Sequence, residues 1–547
     1  MKYHFRRSIA MLLVIALIFS VLITDKAIAK KKAVKPTITK KVTVTVGKNK
    51  TLKINKISAK KIKRTTWKST TKKIKLSKKK KTSVSLKASS AVKGTITAKL
   101  VLKSGKKYTL TCRVTAKKKT STKPPAATSE PIITPSPSPT PKPTATPYIP
   151  KDLPEAKAVE VPAKPEVNAS YTNEVSSNSK YDLTKALSAT SVKDAYSDYF
   201  SIGAAINGTS AAVSTAASPE MRQVMIKHFN STTLSNLLKP SYLLDQSASQ
   251  ANAAAGNNDL PGLKFNNIVD NLEFCKENGI KMRGHVLVWH VQTPEWFFRE
   301  GFTNDGAYVD KVTMQKRMGS FIRQVLEFCQ KYYPDVIYCW DVVNEAVDTS
   351  GPGGYRNSNW YKIIGKGFIA DAFYYARKYA DPDVKLFYND YNCFQPSKCS
   401  KINSIVKPLK DAGLLDGVGM QSYYVEDQTL SQVKTAIEKF AASGLEIQLT
   451  ELTYRVPDYN NPTEEDYRKQ GENYKALMKM LIDLDTASGG PANITNVTFF
   501  GLIDNPYSVF GQNPAPDRDC WARLFDENFD MKPSYYGVIA AVEEAKK

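Results

Sequence analysis

The sequence predicts a multidomain chain, a (β/α)8 barrel joined to a small all-β sandwich. Three patterns predict it. From about residue 191 to the C-terminus, eight apolar β runs alternate with amphipathic helical stretches, as parallel strands linked by helices do. Residues 34–116 follow the strand period instead, in "VTVTV", "TLKI", "SVSLKA", "GTITAKLVL" and "YTLTCRV", which suits a small sandwich. Between them, residues 117–150 repeat Pro with Ser and Thr. That composition favours extended polyproline II and prevents a packed core.

The elements follow in chain order. Lys2, Arg6 and Arg7 precede the apolar stretch "SIAMLLVIALIFSVLI", and Ala27–Ala29 form a small-x-small cleavage site. Residues 1–29 therefore predict a secretory signal peptide. The apolar stretch is short for a permanent anchor. No later stretch is long and apolar enough to span a bilayer, so the mature chain is expected to be exported without a transmembrane segment. In the sandwich, Gly47, Gly94 and Gly105 mark the turns, and lysine fills the outward positions. This stretch resembles bacterial immunoglobulin-like wall modules. Its lysines fit either a solvated face or adhesion to an anionic cell-wall polymer or acidic polysaccharide. Residues 151–190 are a polar, irregular lead-in to the barrel, which occupies 191–547.

Charge divides along the same lines. The chain carries a formal net charge of +28, which at first suggests a nucleic-acid binder. Residues 1–150 hold 38 Lys+Arg against 2 Asp+Glu, and residues 151–547 hold 41 against 49. The charge describes what the N-terminal part touches and not the chemistry elsewhere. A secreted location and a single tryptophan in the module, Trp67, argue against nucleic acid. The seven cysteines include no CxxC pair, so neither a zinc site nor a disulfide framework is expected. Cys393 and Cys399 are close enough in sequence to bridge a loop, or to remain free.

The barrel's eight runs are "YFSIGAAIN", "MIKHFNSTT", "KMRGHVLVW", "VIYCWDVVNEA", "VKLFYNDYN", "GVGMQSYY", "LEIQLTELTY" and "VTFFGLID". A doubly wound open sheet is the competing arrangement, but no Gly-rich phosphate turn follows the first run. Barrel active sites lie at the C-terminal rim of the strands, and polar residues gather at these run ends. They are Asn207; His228, Asn230, Asn236 and Lys239; Arg283, His285, His290 and Gln292; Asn344 and Glu345; Asn389, Asp390 and Asn392; Gln421 and Ser422; Glu451; and Asp504. Glu345 and Glu451, three strands apart, would face each other across the rim. Two such carboxylates can divide acid and nucleophile roles. No Asp/Glu-rich loop or His pair accompanies either one, so no metal or cofactor is expected, and no Gly-x-Ser-x-Gly turn occurs. Paired-carboxylate glycoside hydrolysis fits best. For Trp340, mid-strand, core packing is expected; for Trp289, a place in the cleft.

Residues 195–540 resemble the catalytic domain of family 10 glycoside hydrolases, mostly endo-β-1,4-xylanases. The matches are "HFNSTTLSNLLKP" (228–240), "RGHVLVWHVQTPEW" (283–296), "WDVVNEA" (340–346), "LFYNDYN" (386–392), "DGVGMQSY" (416–423), "LTELT" (449–453) and "LFDENFDMKPSYYGV" (524–538). The resemblance implies Glu345 as acid/base and Glu451 as nucleophile, with Asn344 beside the sugar's 2-hydroxyl. It implies Asn236, Lys239, His285, Trp289 and Gln292 on the non-reducing side of the cleft, with Gln421 and Tyr423 completing the substrate-binding set. Xylan or a related plant cell-wall polysaccharide is the expected substrate, cleaved with retention by carboxyls about 5–5.5 Å apart.

Several departures gather around one sugar site. The family usually has Glu where Ser235 stands, His where Tyr423 stands and Asp where Thr453 stands. Its eighth strand carries tryptophans where this chain has Phe500 and "NPYSV". The lost His and Asp normally form a chain to the nucleophile. Tyr423 is expected to replace that His, because a phenol can still donate to a carboxylate and hold it ionised. A related hydrolase with altered sugar preference and a glycan-binding barrel that no longer cleaves are the alternatives. Trp521 could fill the space of a lost tryptophan.

Overall fold

The computed structural model describes residues 36–39, 41–47, 49–55, 57–117, 148–206, 214–504 and 519–547. The expected signal peptide, nearly all of the linker, Asn207 and "NPYSV" lie outside the described residues. The described residues form two compact units, one within 1–140 and one within 141–547.

The first unit is all-β: β1 (Thr37–Ile38), β2 (Lys41–Thr45), β3 (Asn49–Asn55), β4 (Ile62–Ser69), β5 (Ile74–Ser77), β6 (Ser83–Ala88), β7 (Val92–Leu102) and β8 (Lys107–Lys117). Two four-stranded sheets, ordered β1-β3-β6-β5 and β2-β8-β7-β4, enclose a core that includes Leu52, Ile54, Ile62, Val84, Leu86, Ile96, Leu100 and Val114. The period-2 alternation puts these residues inside and lysine outside. Trp67 is buried in this core, and its indole N–H donates to Lys80 O at 3.0 Å. Gly47 and Gly105 lie in turns with positive φ. Gly94 does not: it sits inside β7, where a Cβ would come within 2.8 Å of Thr71 Cγ2. A glycine that admits a close neighbour reads like a turn glycine in sequence.

The second unit alternates β9 (Ser201–Ile206), α1 (Pro219–His228), β10 (Ser231–Leu234), α2 (Val269–Glu277), β11 (Lys281–Val288), α3 (Lys311–Tyr332), β12 (Ile337–Asn344), α4 (Phe368–Tyr379), β13 (Lys385–Asp390), α5 (Pro396–Asp411), β14 (Gly417–Met420), α6 (Leu430–Ala441), β15 (Glu446–Tyr454), α7 (Glu464–Leu484), β16 (Ile494–Phe499) and α8 (Pro533–Ala545). Each strand pairs in parallel with the next. β16 pairs in parallel with β9, so the sheet closes into a barrel of eight. Helix starts follow ordinary capping chemistry. Asp310 accepts from the Val312 and Thr313 N–H groups at the head of α3, and Thr463 and Asp466 form a reciprocal box at the head of α7. No helix among the described residues is long and apolar enough to cross a membrane.

One sequence expectation needs correction. The second run, "MIKHFNSTT", is not one strand: α1 takes its apolar half, and β10 is only four residues long. His228 and Asn230 therefore precede β10 and sit at the barrel's other end. His228 is fully buried, and its Nε2–H donates to Ala186 O at 2.8 Å. Burial drives its pKa down to about 4. The lead-in packs along the barrel unit. Residues 148–183 run as an irregular strap over the helices, followed by a short helix, Thr184–Ser188. Pro154 O accepts from Tyr375 OH (2.6 Å), Pro162 O from Tyr332 OH (2.9 Å), and Asn173 Oδ1 from Arg222 Nε (2.6 Å). Trp340 is core, as expected, lying against Gly284 where any Cβ would strike its ring. Cys393 and Cys399 are both free and buried.

Candidate active site

The site starts from a bidentate ion pair inside the barrel. Arg283 on β11 donates to both oxygens of Asp341 on β12, at 2.7 and 3.0 Å. Its Nε donates to Gln448 on β15. Strands β11 and β15 are not neighbours, so that bond crosses the lumen. Asp341 is fully buried. Burial opposes its charge, but Arg283 and His285 hold its pKa below the usual carboxylate range. An ionised Asp341 accepts from His285 Nδ1–H at 2.9 Å, which fixes the imidazole tautomer and leaves Nε2 as its other nitrogen.

One layer up, at the C-terminal rim, the two glutamates are joined by a chain of side-chain amides. Gln421 Nε2 donates to Glu345 Oε1 (3.0 Å) and Asn344 Oδ1 (3.2 Å). Asn389 Nδ2 donates to the same Asn344 oxygen (3.2 Å) and to Glu451 Oε1 (3.3 Å). Thr450 Oγ1 fixes the Asn389 amide by donating to its Oδ1 at 2.7 Å. Asn389 reaches β15 by passing over Gly419 of the intervening β14. A Cβ there would lie 2.4 Å from Asn389 Oδ1, so glycine is required at that crossing. Glu345 holds a left-handed backbone, φ 55°, uncommon for a residue with a Cβ. Its N–H donates to Asn389 O (2.9 Å), and its carbonyl accepts from Arg356 Nε (2.7 Å).

Glu451 lies late in β15, beside a register shift against β16. Burial raises its pKa. His285, the Tyr423 hydroxyl and Lys239 pull the other way, and the charge of Glu345 adds to the rise. Tyr423 OH donates to Glu451 Oε2. The Tyr423 ring packs edge-on against Phe500, centroids 5.6 Å apart. Arg455 sits over the ring at 5.2 Å and is paired with Asp519. Thr453 turns away: its hydroxyl donates to the Glu451 backbone carbonyl at 2.9 Å. A small cavity of about 20 Å³, room for about one water, opens beside Glu451. Ser235, Lys239, His285 and Phe500 are among the residues that line it.

A second cluster flanks the first. Asn236 Oδ1 accepts from Lys239 Nζ (3.1 Å) and Gln292 Nε2 (3.3 Å). Lys239 Nζ lies 4.9 Å over the Trp289 ring. Burial lowers the Lys239 pKa to about 8, against the opposing pull of Glu451 and Glu345. The Trp289 indole N–H is buried with no protein partner, a donor available to a ligand or water. The structure thus brings together Glu345, Glu451, Asn344, Gln421, Tyr423, His285, Asn236, Lys239, Trp289 and Gln292. Other rim candidates fall elsewhere. Asp504 is ion-paired with Lys532, Asp390 with Lys398, and Trp521 donates to Tyr459 O. Asn389 and Arg356 were missing from the sequence-based site. Asn389 carried a signal, a polar strand end; Arg356, on the β12–α4 connection, carried none.

The sequence profile of glycosyl hydrolase family 10 matches residues 191–541. The chain belongs to that family. It is 45% identical over 311 residues to a putative endo-1,4-beta-xylanase of Caldicellulosiruptor saccharolyticus, covering 56% of this chain and 96% of that protein. It is 40% identical over 352 residues to endo-1,4-beta-xylanase B of Butyrivibrio fibrisolvens, covering 64% of this chain and 53% of that one. Among solved structures, it superposes on the N-terminal modules of endo-1,4-beta-D-xylanase 10B of Clostridium thermocellum, complexed with xylohexaose. That match has a TM-score of 0.57 at 32% identity and covers 65% of this chain and 68% of that one. An endo-1,4-beta-xylanase of Caldicellulosiruptor owensensis matches with a TM-score of 0.53 at 33% identity, covering 64% and 99%. The (β/α)8 unit is therefore a family 10 glycoside hydrolase.

Proposed function

We propose that the barrel is an endo-β-1,4-xylanase that cleaves internal bonds of xylan with retention, using Glu345 and Glu451. The observation that carries the proposal is the amide chain Glu345–Gln421–Asn344–Asn389–Glu451, which fixes two carboxylates on one rim. In the first step Glu451 attacks the anomeric carbon and the glycosidic C–O bond breaks. Gln421 occupies one oxygen of Glu345, and the proton passes from its other oxygen to the leaving group. In the second step water attacks the glycosyl-enzyme, Glu345 takes the water's proton, and the ester to Glu451 breaks. Asn389 and Tyr423 orient the nucleophile, and Asn236, Lys239, Trp289, Gln292 and His285 bind the non-reducing side of the substrate. Reducing-sugar release from xylan, with Glu345→Gln and Glu451→Gln as controls, tests the reading; binding without hydrolysis overturns it. Retention is read from the anomer first formed, by NMR. Ser235 and Phe500, beside Glu451, favour one second reading, a related β-glycan hydrolase with altered sugar preference. A polysaccharide panel separates the two.

The remaining assignments belong to the same reading. The chain is exported after cleavage of residues 1–29, which N-terminal sequencing of the mature protein checks. The unit at 34–116 attaches the enzyme to anionic cell-wall polymer, and the Pro-rich stretch 117–150 is the spacer.

A further inference from the structure

The N-terminal unit carries a charge pattern that its fold does not use. Residues 36–117 contain 24 lysines, two arginines and no Asp or Glu. No carboxylate within the unit can neutralise them, so they repel one another. The sheet β2-β8-β7-β4 arranges several of them on its outer face in cross-strand rungs. In order these are Arg64–Val101–Lys107, Thr66–Lys99–Thr109, Lys68–Thr97–Thr111, Thr95–Arg113 and Lys93–Thr115. Each of these rungs holds a cation, and across β8-β7-β4 no two are direct cross-strand partners. Threonine stands beside most of them, which avoids the cost of like charges directly opposed. On the β2 side, Lys41 pairs directly with Arg113. Rungs on one face repeat every ~7 Å, two residues of antiparallel strand. A concavity of about 650 Å³ adjoins the last two rungs, lined by Thr70, Lys93, Thr95, Arg113 and Thr115 together with Val42 and Val114.

We propose that this face binds a linear wall polymer whose phosphodiesters recur along a flexible chain, with one phosphate seated between Lys93 and Arg113. The proposal rests on the attachment reading above and names its face and its ligand. A cation on each ~7 Å rung suits widely spaced charges better than duplex nucleic acid, which carries one per ~1.7 Å. The concavity gathers two cations and three threonine hydroxyls, enough donors for the several acceptor oxygens of a tetrahedral phosphate. Neutral glycan does not suit the face. The only tryptophan here, Trp67, is 4% exposed, and Tyr108 packs against the core, so no open aromatic platform is presented among the described residues. Twenty-four lysines against two arginines suit diffuse attraction by hydrated point charges more than bidentate recognition.

The test uses the full mature chain and poly(glycerol phosphate), with polygalacturonate, duplex DNA and neutral xylan as parallel probes. Lys93→Gln/Lys99→Gln/Arg113→Gln removes three cations from this face. Lys53→Gln/Lys75→Gln/Lys87→Gln removes three from the other sheet. The first variant is expected to lose about tenfold or more in affinity for the phosphate polymer at low salt, the second less than threefold. Wild-type binding should collapse between ~50 and ~500 mM salt. Equal losses in both variants overturn the face while attachment stands. Tighter binding to polygalacturonate or DNA overturns the phosphate assignment. No binding to any polyanion overturns the attachment reading as well. Unchanged resistance of residues 36–117 to limited proteolysis in both variants shows that the substituted unit remains folded, since xylan hydrolysis reports only the barrel unit.

Discussion

Replacing Tyr423 with Phe removes one oxygen and little else. The ring keeps its edge-on contact with Phe500 and its place under Arg455, so the packing stays. What is lost is a hydrogen bond to a carboxylate that burial already pushes toward its neutral form. Bonds to charged groups contribute roughly 1.5–3 kcal/mol. If that whole amount is withdrawn from the ionised nucleophile, kcat/KM falls by about 10- to 150-fold at a pH where wild-type Glu451 is charged. The sign is fixed: the hydroxyl favours the charged form, so its removal raises the Glu451 pKa further. The acid limb of the kcat/KM profile moves to higher pH, because that limb reports the free enzyme's nucleophile. The assay is initial-rate hydrolysis of xylan or an aryl xylobioside from about pH 4 to 9. A purely structural role would lower Tm and leave the limb in place. A profile within twofold of wild type at every pH refutes the argument, and leaves Asn389, His285 and Lys239 to hold the charge.

Other consequences are as specific. Glu345→Gln should lose about 10²–10⁴-fold on xylan but far less in the first step on an aryl glycoside whose leaving group needs no proton, read as a burst of released phenol; Glu451→Gln should fail on both. Asp390 is buried against Lys398 and Tyr388 OH, and burial raises its pKa to about 6 despite that lysine. A carboxyl raised in the folded state costs nothing below its ordinary pKa and costs fully above the raised one. Thermal unfolding should therefore show wild type losing about 3 kcal/mol relative to Asp390→Asn between pH ~4 and ~7. A chain starting at Ser191 lacks the strap. It leaves Tyr375, Tyr332, Arg222 and His228 without the oxygens of Pro154, Pro162, Asn173 and Ala186. At about 1 kcal/mol each, and roughly 1 °C per kcal/mol for a unit of about 400 residues, its Tm should fall by about 5 °C against a chain starting at Tyr148.

The barrel and most of its rim were legible because parallel buried strands read as apolar runs and the polar residue that ends each run stands out. Glu345 and Glu451 are such residues, and so is Asn389. The importance of Asn389 was hidden, because its reach to Glu451 depends on a missing side chain two elements away, at Gly419. Absence of a Cβ has no sequence pattern of its own. The strap was illegible for a related reason. Its backbone oxygens bond to helix side chains and not to a ladder, so it has neither the 2.0 nor the 3.6 period. His228 was misplaced because an apolar helix end followed by a four-residue strand reads as one β run. Arg356 binds through its donation to the Glu345 carbonyl, a contact set by the fold of a connection.

The two departures nearest the nucleophile are best understood as one change. The family's His donates to the nucleophile and needs an Asp to fix its tautomer. A phenol has a single donor and needs no such partner. Its ring is held instead by Phe500 and by Arg455, and the hydroxyl of Thr453 satisfies the Glu451 carbonyl. The substitutions should therefore be coupled. Tyr423→His alone would place an imidazole with an unfixed tautomer beside Glu451. Thr453→Asp alone would bring a second carboxylate to a buried one and raise the Glu451 pKa. Each single variant should lose about tenfold or more in kcat/KM. The double variant should recover much of that, a coupling within the ~0.5–3 kcal/mol seen between residues in contact. Losses that simply add would mean that Tyr423 and Thr453 act independently, and that the hydroxyl of Tyr423 is not the successor of a His–Asp chain.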